Sequence, residues 1–548
     1  MLAAQLAGRW RPVCAVTLVC TLLAACSGGG GGSSPPAPVW GRFRHDSANS
    51  GVGFGFLAQN PGTTRWVFPL NTNEPADGVT DSTPVIGLNN TVYVGTRLGL
   101  LAVDREHPDQ RNYRIKSCPG SLLFPIPSDS DINIGPINGA PAVTVNNDIV
   151  VGNDSGYVFA IHDDGNLLNC IWAFHNATDP ENKSVRSSPI AVADPVDFRL
   201  TGVFIGMAAG RLQALNGNGT EQWRFQTSDL SLGPLSASPS SDASHFYITA
   251  PDGFLYAIDS TGAQRWRALV GTQQPETEET VLSSPAVGSA VYTVAPLETC
   301  DSSAACTPTR LSALNPDGSL RWQLTSVNGK PVQPVPGSPA LAPRAIEELV
   351  PPTPSVTPAG TPTPTIAPAA SPTPTATIVL PVVQDVLYFV DRDGTVYALR
   401  GTTGQPFMIP LPLATSTPTP TSTPGPAGVT PGATPPASKI SIVHLPLEDA
   451  NVVLSPALSA DLFVVFATSN GRIYAINVDY DRSRPCTASC SIDNPEWKPA
   501  PSSEESDGDA GGFVELGSPP RSSPVVDQDG TIYVTTDDGQ LHAINTVL

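Results

Sequence analysis

The stretch S-P-S-S-D-A-S-H-F-Y-I-T-A-P-D-G-F-L-Y-A-I-D-S-T-G-A-Q-R-W-R, from Ser238 to Arg267, decides the fold. Ser238-Pro239 opens it, and His245-Phe246-Tyr247-Ile248 reads as a strand. After the Asp252-Gly253 turn comes a second apolar run, Phe254 to Asp259, and after Thr261-Gly262 a last strand through Trp266. β-branched and aromatic runs bounded by Asp-Gly and Thr-Gly turns are strand and hairpin signals. Four short strands therefore fit into fewer than forty residues.

The opening signal recurs at Pro84, Pro141, Pro189, Pro239, Pro285, Pro339, Pro456 and Pro524, with spacings of 57, 48, 50, 46, 54, 117 and 68 residues. Two spacings are long because low-complexity sequence interrupts them, so the underlying period is near fifty. A period of about 40–50 residues with four strands each marks the blades of a propeller. The second strands include Val92-Tyr93-Val94, Phe246-Tyr247-Ile248 and Ile532-Tyr533-Val534, and the third strands centre on Ala102, Ala160, Ala214, Ala257, Ala313, Ala398, Ala475 and Ala543. The small Ala suits close packing where blades converge. Trp172, Trp223, Trp266 and Trp322 each offer a large ring to bury between blades. Copies seven and eight lack this Trp, with Phe407 a weak stand-in for one of them. Pro after Ser removes a backbone donor, which an edge strand facing a central channel tolerates.

The last copy stops at its third strand, Leu541-His542-Ala543-Ile544-Asn545, while Arg65-Trp66-Val67-Phe68 resembles an outer strand with nothing before it. Pairing the two closes the ring and removes exposed sheet edges. The fold class is thus all-β: an eight-bladed β-propeller of four-stranded blades, closed by an N-terminal strand. Residues 39–548 form it, with Thr/Pro-rich inserts at 343–381 and 414–436. Repeats such as Thr361-Pro362-Thr363-Pro364 favour extended, disordered chain over a packed core.

The first residues form a targeting segment. Arg9 and Arg11 precede an apolar run, Val13 to Ala25, too short for a stable membrane span. The run ends in Leu23-Ala24-Ala25-Cys26, which resembles the bacterial lipobox. That resemblance implies a signal peptide over 1–25, lipidation of Cys26, and a flexible Gly/Ser/Pro tether over 26–38. Ser27, rather than Asp, after the lipid cysteine favours the outer membrane of a Gram-negative cell. Export places the remaining cysteines in an oxidising compartment, where an even number suggests disulfides. Cys300 with Cys306 and Cys486 with Cys490 each flank a polar loop, leaving Cys118 and Cys170 as a third pair. The formal charge of −20, from 29 basic and 49 acidic residues, argues against a nucleic-acid partner.

The repeated S-S-P-[AV], V-Y-V and D-G-x-L-Y-A-[IL]-[DN]-x-x-G-x-x-x-W elements resemble the pyrroloquinoline-quinone (PQQ) type propeller repeat, from about Trp66 to Asn545. The opening Trp40-Gly41-Arg42-Phe43-Arg44-His45-Asp46 is similar to the start of secreted bacterial members. The resemblance implies a fold shared by quinoprotein dehydrogenases and by non-enzymatic scaffolds such as the BamB-like lipoproteins of the outer membrane. The dehydrogenases carry adjacent cysteines at the quinone, a catalytic Asp and a calcium-binding set. No two cysteines here are adjacent, no position takes over the other roles, and there is no C-x-x-C-H haem motif. Asp391-Arg392-Asp393-Gly394 and Asp527-Gln528-Asp529-Gly530 open like calcium loops, but the closing Glu is missing and turn chemistry explains them. His45-Asp46 lies in a turn-rich arm and reads as structural.

These residues lead to a membrane-anchored, non-catalytic scaffold of the bacterial envelope, with a protein partner and no catalytic, cofactor or metal residues. A part in outer-membrane protein assembly suits it. The alternatives are a PQQ-binding oxidoreductase-like protein using the central channel, and a surface glycan or adhesion module.

Overall fold

The computed structural model describes residues 40–545, except 58–61, 71–79, 176–183, 209, 228–234, 236, 243, 273–282, 297–308, 349–379, 407–441, 446, 448–449 and 478–512. Eight blades of four antiparallel strands follow one another along the chain, and blade 2 adds a fifth strand, Leu123–Phe124, parallel to its outer strand. The blade that contains the opening stretch, blade 4, consists of Ser240–Ser241, His245–Thr249, Phe254–Asp259 and Gln264–Leu269. The hairpin between its second and third strands needs a left-handed residue, and Gly253 supplies it at φ 83°. Asp252 keeps ordinary backbone and instead accepts a hydrogen bond from the Phe254 N–H at 3.0 Å.

The core lies between blades more than within them. Val150, Val158 and Ala160 of blade 2 form one cluster with Val203, Ile205 and Leu215 of blade 3. The repeated Ala is fully buried in the third strands, where Ala160, Ala214, Ala257, Ala313 and Ala543 each face a Trp on the outer strand: Trp172, Trp223, Trp266, Trp322 and Trp66. In blade 1, Ala102 faces Tyr113 instead. Next to every Ala–Trp pair the outer strand carries one extra residue, a β-bulge that bends the strand and re-aims the ring. Each Trp then donates its indole N–H to a turn carbonyl of the following blade. The acceptors are Gly217 for Trp172, Ser260 for Trp223, Pro316 for Trp266, Gly401 for Trp322 and Arg105 for Trp66, at 2.8–3.0 Å. A glycine in four of these turns lets the ring approach, because a Cβ on Gly219, Gly262, Gly318 or Gly404 would lie under 3 Å from ring or neighbouring side-chain atoms.

Ring closure follows the sequence reading. Thr64–Pro69 pairs antiparallel with Gln540–Ile544 and becomes the outer strand of blade 8, so copy eight receives its Trp from the N-terminal end. Phe407 lies outside the described residues. A second closure runs around the centre. In six of the eight blades the N–H before the repeated Pro donates to the hydroxyl of the corresponding Ser in the next blade: Ala140 to Ser188, Ser188 to Ser238, Ser238 to Ser284, Ser284 to Ser338, Ser338 to Ser455 and Ser455 to Ser523, at 2.8–3.2 Å.

One insert boundary shifts from the sequence reading. Strands Ala340–Glu348 and Leu380–Val390 of blade 6 stay paired past Pro343 and Pro381, out to Glu348 opposite Leu380. Val382, Val383 and Ile346 are strand formers, so the ladder continues until the Thr-Pro run begins. The rest of that insert, and all of 414–436, lie outside the described residues. Antiparallel order fixes which face each connection serves. First-to-second and third-to-outer connections share one face, and the other connections share the opposite one. The strands that 349–379, 407–441 and 478–512 join all end on the first of these faces.

Candidate functional site: the central channel and its arm

The inner edge of each blade is its first strand, which carries or directly follows the repeated Pro, and eight such edges surround the centre. Residues 40–57 run across them. The N–H two positions after the Pro donates to this arm in six blades: Ile86 to Trp40 O, Val143 to Gly41 O, Ser241 to Ser47 O, Val287 to Ala48 O, Leu341 to Ser50 O and Leu458 to Gly51 O, at 2.6–2.9 Å. Backbone donors on exposed strand edges need partners, and the arm supplies them from its own carbonyls.

The turn over blade 3 lets the arm keep this register. Arg44 and His45 adopt positive φ of 59° and 75°, and Asp46 braces the bend by accepting from Ala48 N and Ser50 N at 3.0 Å and from the Ser50 hydroxyl at 2.6 Å. Farther on, Gly53 and Gly55 press flat on blade 8. A Cβ there would stand 2.4 Å from Val526 O and 1.8 Å from Asp527 O. The arm then leaves across the turn of blade 7, where Ala460 N donates to Gly55 O at 2.9 Å and Leu57 N to Asp461 Oδ1 at 3.0 Å. That turn joins first and second strands, so the arm leaves on the face where the strands flanking 349–379, 407–441 and 478–512 end.

Three side chains of the arm reach the carbonyls of the Ser-Pro ring. Arg42 donates to Pro239 O at 2.9 Å, Asn49 to Pro285 O at 3.0 Å, and Arg44 to both Pro339 O and Pro456 O. All three are buried. Burial lowers the Arg42 guanidinium to about 10 and that of Arg44 to about 9, with Asp46 drawing both back upward, so both carry charge at neutral pH. His45 stacks edge-on between Trp40 and Phe54, with ring centroids 5.4 and 4.8 Å away, and its Nδ1 lies 3.5 Å from Asp46 Oδ2. His45 and Asp46 therefore act as parts of the bend.

A second concavity of about 780 Å³ opens on the rim between blades 4 and 5, lined by His245, Asp259, Arg265, Trp266, Pro316 and Asp317 among others. Its carboxylate Asp259 is already engaged. Asp259 accepts from the Thr261 hydroxyl and N–H and from Ala263 N at 2.6–3.0 Å, and pairs with Arg265 at 2.6 Å. The Thr261 hydroxyl, the turn amides and Arg265 hold its carboxyl at about 2. No nucleophile–base pair forms there.

The residues singled out in the sequence scatter. Cys26, Cys300, Cys306, Cys486 and Cys490 lie outside the described residues. Cys118 and Cys170 form a disulfide, Cα atoms 5.5 Å apart, tying the connection between blades 1 and 2 to the outer strand of blade 2. The Asp391 carboxylate accepts from Thr395 N at 2.8 Å and Tyr397 OH at 3.1 Å, and Asp527 pairs with Arg105 at 2.5 Å. Both loop openings thus serve turns and blade contacts. Sequence reasoning missed Arg42, Arg44 and Asn49 as channel residues. The alternation Gly51-Val52-Gly53-Phe54-Gly55-Phe56 was the available signal for a segment lying flat on another backbone.

Comparison with known proteins places this geometry. The family described as outer membrane protein assembly factor BamB matches residues 208–346. The quinohemoprotein alcohol dehydrogenase ADHIIG of Pseudomonas putida HK5 shares 12 % identity, covering 93 % of this chain and 81 % of its own, with a TM-score of 0.52. BamB from Moraxella catarrhalis shares 13 % identity over 88 % of this chain and 100 % of its own, at 0.44. A computationally designed protein, Ika8, shares 11 % over 89 % of this chain and 100 % of its own, at 0.45. Comparison with curated protein sequences finds no match. The chain has the β-propeller fold, and a quarter of it matches the BamB family model.

Proposed function

We propose that this propeller is a non-catalytic scaffold of the bacterial cell envelope, held to the membrane through a lipid on Cys26, which binds a protein partner on its blade faces or rim. Outer-membrane protein assembly is the setting it suits. The observation that carries the reading is the arm over the channel. The concave centre of a propeller is where a cofactor or small substrate finds converging groups. Here residues 40–57 take up the donors on six inner edges, and Arg42, Arg44 and Asn49 take up carbonyls behind them. What remains outward is loop and rim surface, suited to protein contact. The partial match to the assembly-factor family supports the same reading.

Two measurements on one preparation test it. Cys26→Ala should move the protein from the membrane to the soluble fraction, and retention on membranes would remove the lipid anchor. Photo-crosslinkers at exposed Leu98, Leu269 and Val196 should concentrate on one envelope protein in intact cells. Stoichiometric uptake of PQQ by the purified chain, with calcium-dependent dye reduction on alcohols, would replace the scaffold with the oxidoreductase-like alternative.

A further inference from the structure

We infer that the inner channel binds one small monoanion, of chloride or nitrate size, against the unpartnered N–H groups of Arg42 and Arg44. The inference stands on the channel's own charge and does not depend on the scaffold reading. Arg42 is 6 % exposed and Arg44 2 %. Among the described residues no carboxylate pairs with either guanidinium. Asp46, the one acid of the arm, keeps a side chain 40 % exposed and gives its oxygens to Ala48 and Ser50. Two buried cations thus stand with one partly solvated carboxylate, leaving one positive charge in excess.

The hydrogen bonds are unbalanced in the same direction. Pro239 O, Pro339 O and Pro456 O take one Arg42 N–H and two from Arg44. Arg42 Nε and Nη1 and Arg44 Nε are buried without a hydrogen-bond partner, as are Asn49 Oδ1 and the His45 ring nitrogens of the arm and Ser240 Oγ, next to Pro239 in the chain. Arg42 and Asn49 converge on the same Pro239 carbonyl and are neighbours, while Arg44, two residues along the arm, bonds Pro339 O and Pro456 O. Buried donors are nearly always satisfied, and buried charges are paired. Water filling the gap would satisfy the donors and leave the charge. A monoanion satisfies both, and Asn49 Nδ2, already bound to Pro285 O, stays out of its way.

The test is ³⁵Cl NMR line width on the purified protein in dilute sodium chloride. Nitrate should displace chloride and collapse the excess width with single-site stoichiometry, while gluconate at equal ionic strength, too large for a buried site, should not. The thermal midpoint should rise with chloride at constant ionic strength, as for a ligand that binds only the folded state. Arg42→Met keeps the stem and removes the donors, and should lower chloride affinity at least tenfold. If that variant does not fold, the contrast between nitrate and gluconate on the unmodified protein still decides. No excess width, equal displacement by gluconate, or an Arg42→Met chain that binds chloride as before would each overturn the site.

Discussion

Replacing Ser284 by Ala isolates one link of the inner hydroxyl ring. The Ser284 Oγ accepts the Ser238 N–H at 2.8 Å, and both residues are 3 % exposed. The substitution removes little volume, so cavity effects stay small. What it leaves is a buried amide without an acceptor, which costs about 1–3 kcal/mol. Ser284→Thr retains the hydroxyl acceptor and should lose less stability than Ser284→Ala, the packing of its added methyl being the remaining cost. Urea unfolding followed by tryptophan fluorescence reads the difference, with equal m-values required before the midpoints are compared. Hydrogen exchange at Ser238 gives the local readout, since its amide should lose protection more than those of the outer strands. A Ser284→Ala chain as stable as the parent, with Ser238 still protected, would refute a ring held by these bonds. It would mean that channel water serves as well.

Trp172→Phe should cost about 1 kcal/mol by orphaning the Gly217 carbonyl, and Trp172→Ala about 3–5 kcal/mol, because the ring is 2 % exposed. Gly55→Ala should lift the end of the arm, since its Cβ would stand 1.8 Å from Asp527 O, a backbone atom that cannot swing aside; overpacking of this kind costs about 1–3 kcal/mol, and faster proteolytic cleavage within 50–57 reports it. Removing the Cys118–Cys170 disulfide, which closes a separation of 52 residues, should cost about 2–4 kcal/mol, measured as the stability lost in the double Ser variant. Burial would raise the Asp46 carboxyl, but the neighbouring His45 ring and the Ser50 hydroxyl and amide lower it to about 2. A carboxyl depressed in the folded state stabilises above its unfolded value and loses that stabilisation as pH falls from about 4 toward 2. With the side chain 40 % exposed, screening limits the effect to about 1 kcal/mol, and Asp46→Asn should flatten the acid limb by that amount.

Much of the fold was legible because each blade solves the same local problem with the same residues. Asp252-Gly253, Ala257 and Trp266 announce a turn, a tight contact and an interlocking ring, and the orphan Trp66 announces closure. The channel was not legible, for a physical reason. Arg42, Arg44 and Asn49 find their partners on Pro239, Pro285, Pro339 and Pro456, far along the chain, and nothing in the arm repeats. The same applies to Ser188, Ser238 and Ser284. Their recurrence was visible, but the hydroxyl meets the next blade's backbone, which no local pattern encodes. The extended ladder of blade 6 was obscured because Pro343 and Pro381 sit inside paired strands.

The hydroxyl ring is incomplete at one place, and that gap singles out a joint. Blade 2 offers Ala140 where blade 3 offers Ser188, and no such bond joins Ser523 to Thr83, so blade 1 stands outside the relay on both sides. On one side the Cys118–Cys170 disulfide and the Asp163 carboxylate, bound by Tyr93 and Tyr113, bridge blade 1 to blade 2. On the other, Arg105 meets Asp527, Arg65 meets Glu106, and Arg521 lies 3.4 Å from Asp81. Ionic strength weakens exposed ion pairs and spares hydroxyl–amide bonds. Of these pairs only Arg521–Asp81 is largely exposed, so salt reaches one contact of the joint while Arg105–Asp527 is shielded, and the joint beside the closing strand relies on charge where the other blades rely on hydroxyls.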